Sequence, residues 1–210
     1  MTTHILTHFH KRRTGVTTHV EDLVRALNAS GRKAVVLGES ISSNTPQVSR
    51  GDVEALLQTG RPVTWHAQRT HSLREGLRLR QQWPHLRVLW THHNWKPPGW
   101  LTTRLLKQAD GVVCLTQEGA DQLRTNAAVI AAVIGHGVPL DLIQPAPLPL
   151  EPRLGVIGRI RPDKGHRSVV EAFARVKPTS PSWTIRFFGE TRPQHRRFQK
   201  TLQRQLPDSL

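Results

Sequence analysis

The chain has 210 residues, 37% of them hydrophobic, with 30 basic and 15 acidic side chains and a formal net charge of +15. Such a length allows one large domain or one domain with part of another, and apolar segments recurring throughout exclude global disorder. A single cysteine, Cys114, excludes an intrachain disulfide and fits a reducing compartment; its apolar setting, "GVVCLT", marks it as a buried small hydrophobe.

From the N-terminus, short apolar runs predict strands at about 3–9, 33–38, 62–66, 87–92, 111–115 and 129–134. Amphipathic segments fall between most of them. The clearest helix runs from Gly15 to Leu27, with Val16, Val20, Leu23, Val24 and Leu27 on one face and Thr18 and Glu21 at capping-box spacing. This alternation predicts an α/β fold, a parallel sheet covered by helices. His8 and His10 are expected on one face of the first strand, and His92 and His93 follow one another at the end of the fourth. Histidines lining a polar cleft at strand ends are favoured over a metal site, since no H-E-x-x-H or cysteine pairing accompanies them. Residues 69–83 read as a basic amphipathic helix with Leu73, Leu77 and Trp83 on one side and Arg74, Arg78 and Arg80 on another. The next loop, "HHNWKPPGW", carries Trp95, Lys96 and Trp100. Arg74, Arg78 and these three suit a surface helix and a packed corner, or contact with a lipid-linked acceptor and an anionic membrane.

The pattern breaks at 139–152, where five prolines predict an extended linker. It restarts with strand 153–158, helix about 165–177, strand 183–189 and helix about 193–206, a second α/β unit that is short for a parallel sheet. The last 60 residues hold 13 basic and 5 acidic side chains, against 17 and 10 before them. Arginines outnumber lysines 23 to 7, which suits fork-like contact with phosphate. In "LGVIGRIRPDKGHRSVVEAFARV" an apolar strand stops at Gly158, a basic turn follows, and a helix starts near Gly165. Helix-start N–H groups flanked by Arg159 and Lys164 make an anion trap, though not a Walker loop, because the lysine precedes the glycine.

"GRIRPDKG" with "VVEAFARV" resembles the segment that opens the C-terminal domain of family 4 glycosyltransferases, the retaining GT-B enzymes. In order before it, "HFHKRRTGVTTHVEDLVRALNASGRKAVVL", "VLWTHHNW", "RLLKQADGVVCLTQEGADQLR" and "VIGHGVPLDLIQP" resemble further segments of that family. "PSWTIRFFGETRPQHRRFQKTL" resembles its lipopolysaccharide-core mannosyl- and glucosyltransferases. The resemblance implies a Rossmann-like acceptor-side domain at 1–138, the linker at 139–152, and the start of a second, donor-binding Rossmann-like domain at 153–210. It implies transfer of a hexose, with retention, from a nucleotide-sugar to a glycolipid or lipopolysaccharide-core acceptor. Arg159, Lys164 and Gly15 would bind the donor diphosphate, and His93 or His92 would face the donor sugar. No cofactor or metal is implied, and there is no D-x-D motif of a metal-dependent GT-A transferase.

Two departures stand out. The family usually has paired glycines where this chain has Thr14 and Gly15, and His136 stands where many members have asparagine. The family's "EGFGL...E" segment, whose glutamates hold donor sugar and ribose, does not occur before Leu210, so a truncated enzyme is expected. The N-terminus lacks the order of a signal peptide, and the longest run of small apolar residues, 127–134, is too short to span a bilayer, which gives a cytoplasmic expectation with peripheral membrane contact. The competing reading is a non-catalytic basic protein that binds nucleic acid or an anionic membrane; no helix-turn-helix, zinc finger or RNP motif supports the nucleic-acid version.

Overall fold

A computed structural model of the chain describes residues 1–94, 96–124, 130–147 and 151–206. The chain divides into two compact units, Met1–Ile143 and Gln144–Leu210.

The first unit is a six-stranded, wholly parallel sheet. Its elements run β1 Thr3–His8, α1 Gly15–Ala29, β2 Lys33–Gly38, α2 Arg50–Gln58, β3 Val63–Ala67, α3 Thr70–Gln82, β4 Leu86–His92, α4 Trp100–Leu106, β5 Gly111–Cys114, α5 Gln117–Arg124 and β6 Ile130–Val133. The strand order is β2-β1-β3-β4-β5-β6. The chain leaves β1 for one neighbour, β2, and later returns to the other, β3. The C-terminal ends of β1 and β3 therefore flank a topological switch point, where open α/β sheets form their ligand crevice.

Two apolar layers hold this sheet. Leu6, Val20, Val24, Ala34 and Val36 seal α1 against β1 and β2. On the larger side Trp65, Leu73, Leu77, Val88, Trp90, Val112 and Cys114 form one core with Leu57, Leu106 and Leu123. Burying each such aliphatic or aromatic side chain is worth about 1.5–3 kcal/mol. Trp65 anchors α3: its Nε1–H donates to Ser72 O at 2.8 Å, and its indole lies so close to Gly76 that an added Cβ would sit 2.3 Å from Cδ1. Asn28 ties the end of α1 to β2, donating to Ala34 O at 2.8 Å and accepting from Ala34 N–H at 2.9 Å.

Three local expectations are corrected. The α1 cap is formed by Thr14 and Thr17, not Thr18 and Glu21. Thr17 Oγ1 accepts the Thr14 N–H at 2.8 Å, because the helix begins at Gly15, while Glu21 is drawn off to Arg13 and the Ser42 N–H. Arg80 does not share the exposed face of Arg74 and Arg78, because Asp110 pulls it in at 2.8 Å. The linker is not extended from its start: Leu140–Leu142 forms a single 3-10 turn, with Asp141 3.8 Å from Arg25 of α1. Residues 148–150 lie outside those described.

The second unit holds β7 Arg153–Ile157, α6 His166–Val176, β8 Thr184–Phe188 and α7 Arg196–Gln205, with β7 and β8 parallel. The final helix opens with a separate 3-10 turn at Pro193–His195. Val170, Phe173 and Leu202 pack with Ile185 and Phe187 on one face of the two strands. On the other face Ile157 and Phe188, paired in register, are 88% and 54% exposed. Among the described residues no helix is long and apolar enough to cross a membrane.

Candidate active site

The C-terminal edge of the first sheet gathers histidines from separate elements. Only His8 of the His8/His10 pair lies in β1, so the expected shared strand face does not form. His8 is buried, with Nε2 2.9 Å from Thr17 Oγ1 and Nδ1 2.9 Å from Glu39 O. His10 lies beyond the strand, exposed, and accepts the Arg12 N–H at 3.1 Å. From β3, His66 reaches Thr91 Oγ1 of β4 at 2.7 Å. Just past β4, His93 Nε2 meets Gln68 Oε1 at 2.7 Å. Its ring also stands edge-on to His19 of α1, 5.2 Å between centroids, and His19 is 5.6 Å from His136.

Successive residues of a strand point to opposite sides, and that separates His92 from His93. His92 turns into the larger core, its ring 5.3 Å from Trp90 and close to Gly119 of α5. His93, half-buried, turns to the histidine cluster. Of the two, His93 has the geometry to meet a ligand in the crevice.

Burial keeps His8, His19, His66, His92 and His93 neutral near pH 7. Burial holds His66 at about 4, helped by nearby His19 and His4. Burial, then the neighbouring His19, Arg69 and His136, holds His93 at about 3. His8, His19 and His92 are lowered as well, in each case chiefly by burial. With its Nε2–H donated to Gln68 Oε1, neutral His93 keeps an Nδ1 lone pair as acceptor. Among the described residues no three His, Cys, Asp or Glu side chains are grouped as metal ligands.

Gly15 opens α1 beside this cluster and is exposed, with nothing within 4 Å of where a Cβ would stand. No acidic residue occupies the first turn of α1, so its positive end is uncompensated there. Beyond His93 a polar pocket of about 230 Å³ runs under the loop to α4, with Gln68, Arg69 and Lys96 among its lining residues. Arg74 and Arg78 stay on the exposed side of α3 and do not line it; Trp100 is 77% exposed at the start of α4. Trp95 lies outside the described residues.

In the second unit the β7–α6 connection runs strand, glycine, basic turn and helix, in the order expected from the sequence. Gly158, at φ 150°, ends β7 with its N–H on Phe188 O at 2.9 Å. Its carbonyl lies where a Cβ on Gly189 would be 2.0 Å away, so the two connections meet through glycine alone. A 3-10 turn, Pro162–Lys164, leads into α6. Arg161 is held by Asp163 at 2.8 Å, leaving half-buried Arg159 and exposed Lys164 with no ion pair among the described residues. Beneath them His166 is fully buried, 5.5 Å from the Phe187 ring and 6.4 Å from Phe198, which fixes the start of α6.

Sequence reading missed His19, His66 and Gln68. A signal existed for each: Gln68 directly follows a strand, His66 is near the end of the same strand, and His19 is one turn into α1 from Gly15.

No protein-family model matches the chain. It is 28% identical, over 96% of its length, to the lipopolysaccharide core biosynthesis mannosyltransferase LpsB of Rhizobium meliloti (strain 1021). It is 26% identical over 91% to the mannosyltransferase of the same description, LpcC, of Rhizobium leguminosarum bv. viciae. The chain spans about three-fifths of the length of these relatives, 61% and 57%. Among solved structures, Anabaena Alr3699/HepE in complex with UDP and glucose superposes over 97% of this chain and 65% of its own, with a TM-score of 0.72 at 15% identity. The lipopolysaccharide outer core galactosyltransferase WaaB superposes over 99% of this chain and 65% of its own, with a TM-score of 0.66 at 11% identity. The chain thus has the fold of GT-B glycosyltransferases and resembles, in sequence, the lipopolysaccharide-core mannosyltransferases.

Proposed function

We propose that this chain carries the acceptor-side domain and the diphosphate-binding start of the donor domain of a nucleotide-sugar glycosyltransferase, one that transfers a hexose to a lipopolysaccharide-core or related glycolipid acceptor. The observation that carries the reading is the β7–α6 turn, where Arg159 and Lys164 flank a helix start with no acidic residue in its first turn. Free N–H groups, the helix dipole and two fixed cations favour a diphosphate, most of all when it leaves with an extra charge. The likeness to two mannosyltransferases of core biosynthesis supports the substrate class.

In the proposed step the bond from the sugar's anomeric carbon to the phosphate oxygen breaks, and the electron pair stays on the phosphate. The acceptor hydroxyl attacks from the same face, and its proton passes to the departing phosphate oxygen. The configuration is thereby retained. His93, uncharged, orients the donor sugar by hydrogen bonding through Nδ1. Neither histidine nor a bound metal is needed to neutralise the leaving group, which falls to Arg159, Lys164 and the N–H groups of α6.

Calorimetric titration of UDP, GDP and ADP into the protein tests this. One of the three binds, and Lys164→Ala or Arg159→Ala weakens it about ten-fold or more, the scale of one charge-assisted contact. In the protein assayed for transfer, Lys164→Ala abolishes turnover with the fold intact. Steep salt dependence with DNA or RNA, and no response to any nucleotide, would replace this reading with a basic nucleic-acid-binding protein.

A further inference from the structure

Gln68 is held more firmly than a residue between a strand and a helix needs to be. It directly follows β3 and is 2% exposed. Ser72, itself buried, accepts the Gln68 and Arg69 N–H groups through Oγ at 3.3 Å each and donates that hydroxyl to Arg69 O at 2.9 Å. The Ser72 carbonyl takes the Trp65 indole N–H at 2.8 Å, so the start of α3 fixes the Gln68 backbone to the core. The side chain then makes one contact, with Oε1 2.7 Å from His93 Nε2. An amide oxygen only accepts, so the ring supplies the N–H. His93 has a single ring proton near pH 7. Burial disfavours a second, and so do the groups that face it: His19 of α1, Arg69, His136 after β6 and His66 of β3. That one proton is therefore on Nε2. Nδ1 keeps its lone pair and has no hydrogen-bond partner among the described residues. The His19 ring, edge-on at 5.2 Å and 86°, steadies the plane.

We infer that Gln68 is a positioning residue of the transfer site: it locks His93 in the Nε2–H tautomer, and the ring thereby selects a sugar hydroxyl over an anionic oxygen. The inference rests on the reading of His93 as the group that faces the donor sugar. A neutral imidazole can offer a lone pair or an N–H, and the hydrogen bond at one nitrogen decides which the other offers. A lone pair accepts from a hydroxyl and repels a carboxylate or phosphate oxygen. An N–H on Nδ1 would take either. Were the Gln68 amide turned with its nitrogen to the ring, the proton would sit on Nδ1 and the selection would be lost. Gln68 touches no sugar in this scheme and acts only through the ring.

Long-range proton–nitrogen NMR of the histidine rings reads the tautomer without any ligand, because an unprotonated ring nitrogen resonates far downfield of a protonated one. In wild type the downfield nitrogen of His93 is Nδ1. Gln68→Leu, of similar size but with no acceptor, releases the proton, and the two nitrogens move towards a common averaged shift. Gln68→Glu keeps an acceptor at the same place and restores the wild-type pattern, a distinction that a purely structural role for Gln68 would not produce. UDP-glucose and GDP-mannose are then added in turn. The one that binds moves Nδ1 upfield, as an accepted hydrogen bond does, and the free nucleotide does not. It binds about ten-fold more weakly to Gln68→Leu, the scale of one lost hydrogen bond, while the free nucleotide binds both proteins alike. A downfield Nε2 in wild type, a Gln68→Leu variant with the wild-type pattern, or a bound sugar nucleotide that leaves Nδ1 unmoved overturns the inference with nucleotide binding intact. Failure of both sugar nucleotides to bind, with the ring shifts as stated, overturns the donor reading and leaves the tautomer lock standing.

Discussion

His66 and His93 give the folded protein an acid limit. In the unfolded chain both rings take a proton as the pH falls through about 6.5. In the folded protein burial postpones this to about 4 for His66 and about 3 for His93. Between those limits the unfolded state binds more protons, so their contribution is full above pH 6.5 and is lost as the pH falls towards 4 and below. Thermal unfolding from pH 7.5 to 4.5 should therefore show a falling Tm below about pH 6.5, with a shallower slope in His66→Gln. A flat Tm on acidification would mean that these rings protonate as readily in the folded protein as in the unfolded chain, and a rising one that they do so more readily. The roles of neighbouring residues also separate at this scale: His92 and His93 look alike in the sequence, yet one packs on Trp90 and the other faces His19.

At the scale of elements, α3 sets the position of Gln68 and Arg69, because the helix that follows them is pinned to β3 through Trp65. Helix propensity alone would make Gly76→Ala favourable by about 1 kcal/mol. Here the new methyl meets an indole already committed to Ser72 O, and overpacking of this kind costs about 1–3 kcal/mol. Gly76→Ala should lower Tm by several degrees. Gly51→Ala in α2, where the nearest atom is Ser49 Oγ at 3.7 Å, should be neutral or stabilising. The pair separates steric cost from propensity in one denaturation experiment. Asp110 complements α3 at its far end, accepting from Arg80 at 2.8 Å, Arg87 at 2.9 Å and the Val88 N–H at 2.8 Å.

Across the molecule the two units differ in how well their sheets are covered. The first buries β1, β3, β4 and β5 in two apolar layers. The second covers one face of β7–β8 and leaves Ile157 and Phe188 in water on the other. Parallel sheets are ordinarily covered on both faces, so this patch is a place for self-association. Ile157→Thr should leave the unfolding free energy within about 0.5 kcal/mol, as expected for an exposed site, and raise the concentration at which light scattering detects aggregates. A large loss of stability would mean that Ile157 is covered in solution. Charge is uneven too: residues 151–210 carry 13 basic against 5 acidic side chains, which raises the local potential around Arg159 and Lys164.

Some of this was legible without coordinates. Hydrophobic period alone located β2 at 33–38 exactly and the start of α1 at Gly15, because a strand buried on both faces writes an unbroken apolar run and an amphipathic helix writes a 3.6-residue repeat. The glycine-basic-glycine turn after β7 was equally plain, since a strand-ending glycine, a basic turn and a helix start are all written in the local sequence. What only the tertiary structure decided was which polar side chains meet. Gln68 and His93 are 25 residues apart and His19 lies far from His136, yet parallel strands bring their ends to one edge. The same holds for the burial that keeps His66 and His93 neutral and for the partner each ring finds, Thr91 and Gln68. No local pattern records either quantity, because both are properties of what the rest of the chain packs around a residue.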